Sequence, residues 1–124
     1  MRTHLPDAQA VYLHGSQATG TARSGSDLDL AILLPPGVRP DPETWLDALS
    51  AVSAATETDA DLADLRSASS ELHAELLRYG RRLWDDGTGA AETFEMHALS
   101  DYVRLREERA SIEGRIRETG RVHG

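Results

Sequence analysis

Val11-Tyr12-Leu13-His14-Gly15-Ser16, ten residues, then Asp27-Leu28-Asp29-Leu30-Ala31-Ile32-Leu33-Leu34: the reading of the chain turns on this stretch. Two short apolar runs, Val11 to Leu13 and Leu28 to Leu34, flank a polar loop. The first is β-branched or aromatic at Val11 and Tyr12, and both are short, so both are expected to be strands. Side chains on a strand alternate between faces. Asp27 and Asp29 therefore share one face, and Leu28 and Leu30 turn the other way, into a core. Two carboxylates side by side repel each other. A well-solvated face tolerates that, and so does a cation held between them. Hard divalent cations such as Mg²⁺ take oxygen ligands, often one or two carboxylates plus substrate phosphates. The Gly-Ser turn supplies the complementary half. Gly15 lets the backbone approach a ligand, successive N–H groups can form an anion nest, and the Ser16 hydroxyl can donate to a phosphate oxygen. The stretch predicts a metal–triphosphate site.

The rest of the composition narrows the field. A chain of 124 residues is expected to be one domain with one core. Its net charge is −8, which makes it a poor bulk binder of nucleic acid, since that affinity comes largely from neutralising phosphates. All 13 cationic side chains are arginine, so a lysine base, a Schiff base and a P-loop lysine are excluded. The absence of cysteine excludes disulfides and thiolate metal sites and fits a reducing cytoplasm. No apolar run is long enough to cross a bilayer, and the N-terminus has no signal-peptide pattern.

Along the chain, residues 1–10 carry little periodicity, with a single turn expected at Pro6-Asp7. Pro35-Pro36-Gly37 ends the second strand. Asp41 reads as an N-cap, Pro42 as the first helical residue, and Trp45, Leu46, Leu49 and Val52 as one face of a helix to about Ala55. Asp59 to Leu65 is the third strand candidate, and it is acidic for a strand. Either it is a solvated edge or one of its carboxylates is aimed at the Asp27/Asp29 pair. Ser67 to Ser70 offers capping chemistry for a helix to Tyr79, with Gly80 as its C′ residue. Arg81 to Gly87 reads as a short edge strand and a turn. From about Ala91 to Glu118 the pattern is helical and highly charged. Ala98, Tyr102, Leu105, Arg109, Ile112 and Ile116 form a seam like that of a coiled coil. Such a helix is longer than a domain of this size needs, so part of it is expected to project or to dock on something else. The domain reading is therefore a body over 1–90 and a helical, partner-docking extension over 91–124.

The combination of Leu13-His14-Gly15-Ser16 with Ser26-Asp27-Leu28-Asp29-Leu30-Ala31 resembles the signature of the DNA polymerase β-like nucleotidyltransferases, and more tightly that of their minimal nucleotidyltransferase (MNT) domains. Gly20, Ala22 and Arg23 fall where that family's loop usually carries Gly, Ala and Arg. The resemblance implies an α+β fold, a small mixed sheet flanked by helices. It implies nucleotidyl transfer from ATP with two Mg²⁺ ions held by Asp27, Asp29 and a third-strand acid. Aligned on the family's run, that acid is Asp61, with Asp59 and Asp64 as neighbours. Gly15, Ser16 and Arg23 are then the nucleotide-binding residues. Gln17 and Thr19 depart from many relatives, which carry arginines there, so a strong basic clamp on the triphosphate is not expected.

The size and the long tail resemble the antitoxin half of HEPN–MNT toxin–antitoxin pairs, in which the MNT protein transfers AMP to a tyrosine of the HEPN ribonuclease. Two rivals are an antitoxin that neutralises by docking alone and a transferase acting on an antibiotic or sugar hydroxyl. A homo-oligomer stays open. The remaining polar residues take plainer readings. Ser26 is a turn or cap residue rather than a catalytic serine, and His14 is expected at the strand end near the site, in packing rather than catalysis. His73 and His97 show no metal spacing, and Tyr79 and Tyr102 read as core or seam residues rather than modification sites.

Overall fold

The computed structural model describes residues 4–15 and 28–123. They form a four-stranded mixed sheet with helices on both faces. The strands are β1 (Ala10–His14), β2 (Leu28–Leu33), β3 (Ala60–Asp64) and β4 (Arg81–Asp85), and the helices are α1 (Pro42–Thr56), α2 (Ser70–Tyr79) and α3 (Ala90–His123). A 3₁₀ turn, Leu65–Ser67, follows β3. The sheet order is β3-β2-β1-β4; β2 and β3 run parallel and the other pairs antiparallel. The parallel pair needs a crossover, and α1 supplies it.

α1 starts where its chemistry demands. The Asp41 carboxylate accepts from the Thr44 N–H at 3.2 Å, Pro42 begins the first turn, and Glu43 favours the positive end of the helix. Its apolar side, Trp45, Ala48, Leu49 and Val52, packs on one face of the sheet against Val11, Leu13, Leu28, Leu30, Ile32 and Leu62. Leu5 and Ala8, ahead of β1, complete that layer.

The other face buries Ala10, Tyr12, Ala31 and Leu33 against Leu65, Leu76, Ala91, Phe94 and Ala98. The first turns of α3 are therefore rooted in this core. Farther along, Leu99, Val103, Leu105 and Ile112 are exposed. The expected seam divides accordingly: Ala98 is buried, whereas Leu105 and Ile112 face solvent. At 34 residues the helix is roughly 50 Å long.

Polar contacts close the edges of this layer. Arg66 donates from Nε to the Leu34 carbonyl at 2.5 Å and from Nη2 to Gln9 Oε1 at 3.0 Å, with its guanidinium 5.9 Å from the Phe94 ring centre. His73 Nε2 donates to the Leu65 carbonyl at 2.7 Å and meets Phe94 edge-on. Both arrangements are structural, in line with the plain reading of His73. Arg82 on β4 pairs with Glu92 at 2.9 Å and Glu95 at 3.2 Å on α3. These groups are partly exposed, so each pair contributes about 1 kcal/mol or less.

α2 is capped by Ser69, whose hydroxyl accepts from the Leu72 N–H at 3.2 Å. At its far end the sequence reading needs correction. Gly80 does not take the left-handed conformation usual for a C′ glycine. Its φ of −72° and ψ of 158° are extended, because the chain passes straight into β4. Close approach is what suits glycine there: a Cβ would lie 2.5 Å from the Leu76 carbonyl oxygen and 2.7 Å from Leu76 Cδ1. Gly80→Ala is expected to destabilise the fold by about 1–3 kcal/mol, as overpacking generally does. A urea titration against the parent chain measures it, and an unchanged midpoint would contradict the crowding.

Candidate functional site

The site grows from three strand ends. In the antiparallel β1–β2 pair His14 stands opposite Asp29, and in the parallel β2–β3 pair Asp29 stands opposite Asp61. Directly opposed residues share a face of the sheet. The three side chains therefore form a row across three strands, on the face that also carries Tyr12, Ala31, Leu33 and Ala63 farther in. Asp29 is half-buried and Asp61 is exposed, so the row opens to solvent toward β3.

Gly15 closes the row at its other end. Its φ is +72°, a left-handed conformation that favours glycine, and it turns the chain directly over Asp29. A Cβ at Gly15 would collide with Asp29 Oδ2 and crowd its Cγ. The bend and the carboxylate are thus in contact, as the close-approach reading of Gly15 requires.

The acids of the third strand take different places. Asp61 lies in register with Asp29, whereas Asp64 faces the opposite way and accepts from the Arg66 N–H, capping the 3₁₀ turn. Asp59 lies just before the strand, where its carbonyl accepts from the Leu28 N–H at 2.8 Å. Ser16, Arg23 and Asp27, the other residues singled out from the sequence, lie outside the described residues, as does Ser26. Among the described residues no three acids, histidines or cysteines converge as a ready metal cage. The donor set nonetheless suits a hard cation. Two carboxylates on adjacent parallel strands face one way in a chain of net charge −8, an arrangement that a divalent ion would relieve.

His14 is expected from the sequence at the strand end near the site, with packing favoured over catalysis, and the structure puts it there, opposite Asp29. Its position opposite Asp29 depends on the β1–β2 register, which a long polar loop does not reveal. The signal that was available is its place next to Gly15, at the end of the strand that leads into the turn.

Comparison with known proteins bears on this corner. The family model for polymerase β nucleotidyltransferases matches residues 2–88, which include all three strand ends. The protein adenylyltransferase MntA of Shewanella oneidensis is 34% identical over 116 residues, covering 90% of this chain and 78% of that protein. A crystal structure of a toxin–antitoxin with AMP-PNP superposes with a TM-score of 0.74 at 32% identity, over 93% of this chain and 90% of that one. The structure of the tri-AMPylated Shewanella oneidensis HEPN toxin with its MNT antitoxin gives 0.68 at 29% identity, over 94% and 88%. Among the described residues no helix is long and apolar enough to cross a membrane.

Proposed function

The chain belongs to the polymerase β nucleotidyltransferase family, and on that premise we propose that it is a protein adenylyltransferase antitoxin, transferring AMP from ATP to a tyrosine of a cognate HEPN toxin in the cytoplasm. One observation carries the reading: Asp29 and Asp61 stand side by side on parallel strands, with the Gly15 bend pressed onto the first. The relatives of matching length support the choice of donor and acceptor: one is a toxin–antitoxin with AMP-PNP, and the other holds a tri-AMPylated HEPN toxin with an MNT antitoxin.

Asp27, Asp29 and Asp61 would hold two Mg²⁺ ions. Bound there, the cations would draw charge from the α-phosphate and the leaving pyrophosphate and acidify the incoming hydroxyl. The chain's own part is to position. The Gly15 backbone and the Ser16 hydroxyl hold the β- and γ-phosphates, with Arg23 on the same loop. Asp29, fixed between Gly15 and Asp61, sets where the α-phosphate lies. Asp61 faces solvent, the side from which an acceptor hydroxyl must arrive. The exposed apolar residues Leu105 and Ile112, on the part of α3 beyond the core, give the toxin a surface to grip.

Purified chain, cognate toxin and labelled ATP test the proposal. AMP is expected on a toxin tyrosine, and its loss on omitting Mg²⁺ supports the cation assignment. Label on a small molecule, or neutralisation of the toxin without any transfer, would replace the proposal with one of its rivals.

Gly15→Ala probes the contact at the bend. The left-handed φ costs a non-glycine residue about 1–2 kcal/mol, and the new methyl group displaces the Asp29 carboxylate. A shift of about 1 Å at reacting groups can cost roughly 100-fold in rate. AMP transfer is expected to fall on that order while the protein stays folded, as single-turnover rates and a thermal melt would show together.

A further inference from the structure

We infer that Tyr102 of this chain is itself an acceptor of AMP, modified in the same reaction that the chain performs on its partner. The inference rests on the adenylyltransferase reading above and extends it from the toxin to the antitoxin.

A groove of about 900 Å³ runs between α2 and α3, large enough for a nucleotide. Tyr102 lines it together with Arg78, Arg104, Arg106 and Arg109. Glu71, Glu75 and Asp101 line it too, with Asp101 paired to Arg104 at 3.4 Å, so the four arginines outnumber the acids by one in a chain of net charge −8. Arg78 Nη2 donates to the Tyr102 hydroxyl at 2.5 Å, and its guanidinium lies 5.5 Å from the ring centre. The hydrogen bond from Arg78, helped by the charge of Arg78 and Arg106, holds the phenol below its ordinary range and favours the nucleophilic phenolate.

Of the other tyrosines, Tyr12 lacks this setting and Tyr79 shares part of it. Tyr12 is 2% exposed, and burial pushes its phenol well above the usual range, with Glu95 adding to the effect. Tyr79, exposed on α2 next to Arg78, lines the same groove and also interacts with that arginine, so it is the competing acceptor that the test must separate from Tyr102. The groove is also at the right end of the molecule. Arg81 stands opposite Leu13, and His14 opposite Asp29. The end of α2 that bears Arg78 therefore lies at the sheet end that carries Gly15 and Asp29.

The step balances without a further reagent. The Tyr102 oxygen forms a bond to the α-phosphorus of ATP, the bond from that phosphorus to the α,β-bridging oxygen breaks, and pyrophosphate leaves with the electron pair. The phenolic proton passes to solvent as the tyrosine ionises. The product carries a phosphodiester anion among the groove arginines, which can neutralise it.

Full-length chain incubated with Mg²⁺ and ATP, with and without toxin, followed by peptide mass mapping, tests this. The expected result is one AMP on the peptide containing Tyr102, lost in Tyr102→Phe and retained in Tyr79→Phe, with both variants melting like the parent. Toxin modified in the same tube while Tyr102 stays bare would overturn the inference and leave the parent reading intact. An adduct that survives Tyr102→Phe would overturn it as well. No transfer to either protein would remove the parent reading, and this inference with it.

Discussion

Asp29→Asn is expected to lower AMP transfer to the toxin by at least about 100-fold, the scale seen when one well-placed electrostatic group is removed from an active site. Asparagine keeps the shape that fits beneath Gly15 and removes only the charge. Asp29 is the middle member of the His14, Asp29 and Asp61 row, half-buried with neighbours on both sides, so no adjacent acid can take its place without moving the strand. On the proposed reading the carboxylate is also one of the oxygen ligands of the cation. Toxin capture by the variant should persist, because the exposed end of α3 is untouched. A pull-down and a single-turnover assay on one preparation separate the two properties. Transfer at the parent rate would remove Asp29 from the chemistry.

The largest expected loss of stability is at Leu33→Ala. Leu33 is completely buried in the cluster that joins β1, β2, α2 and α3. Deleting a leucine side chain from such a place costs about 2–5 kcal/mol, part of it for the cavity left behind. Small domains have only about 5–15 kcal/mol in total, so the midpoint of thermal unfolding should drop by roughly 10 °C or more. Leu99→Ala on the exposed side of α3 should change stability by about 0.5 kcal/mol at most. Equal melting curves for the two variants would mean that α3 does not share the core assigned to it.

Much of this architecture could be read locally. Val11 to Leu13 and Leu28 to Leu33 lie in strands, as their shortness, their turn-rich flanks and the β-branched or aromatic Val11 and Tyr12 indicated, and Asp41-Pro42-Glu43 starts α1 with its own hydrogen bond. The pairing of Asp29 with Asp61 was only partly legible. Alternation put Asp59 and Asp61 on one face, but choosing between them required the β2–β3 register, a contact between distant segments. His14 was placed near the site, but that Asp29 is its cross-strand partner depended on the β1–β2 register in the same way. Gly80 was misread because a glycine after a helix suits both a left-handed cap and a tight extended exit; what decides between them is the start of β4 one residue later. The split of α3 into rooted and free parts was hidden in a seam that continues unbroken through both. Only the extent of the sheet beneath it determines where burial stops.

The rooting of α3 has a mechanical consequence. Ala91, Phe94 and Ala98 interlock with Ala31 and Leu33, which lie two and four residues beyond Asp29 on the same face of β2. Close-packed interiors are stiff and transmit strain. A load on the free end of the helix is thus felt, through a lever some tens of ångströms long, by the strand that aims the carboxylate.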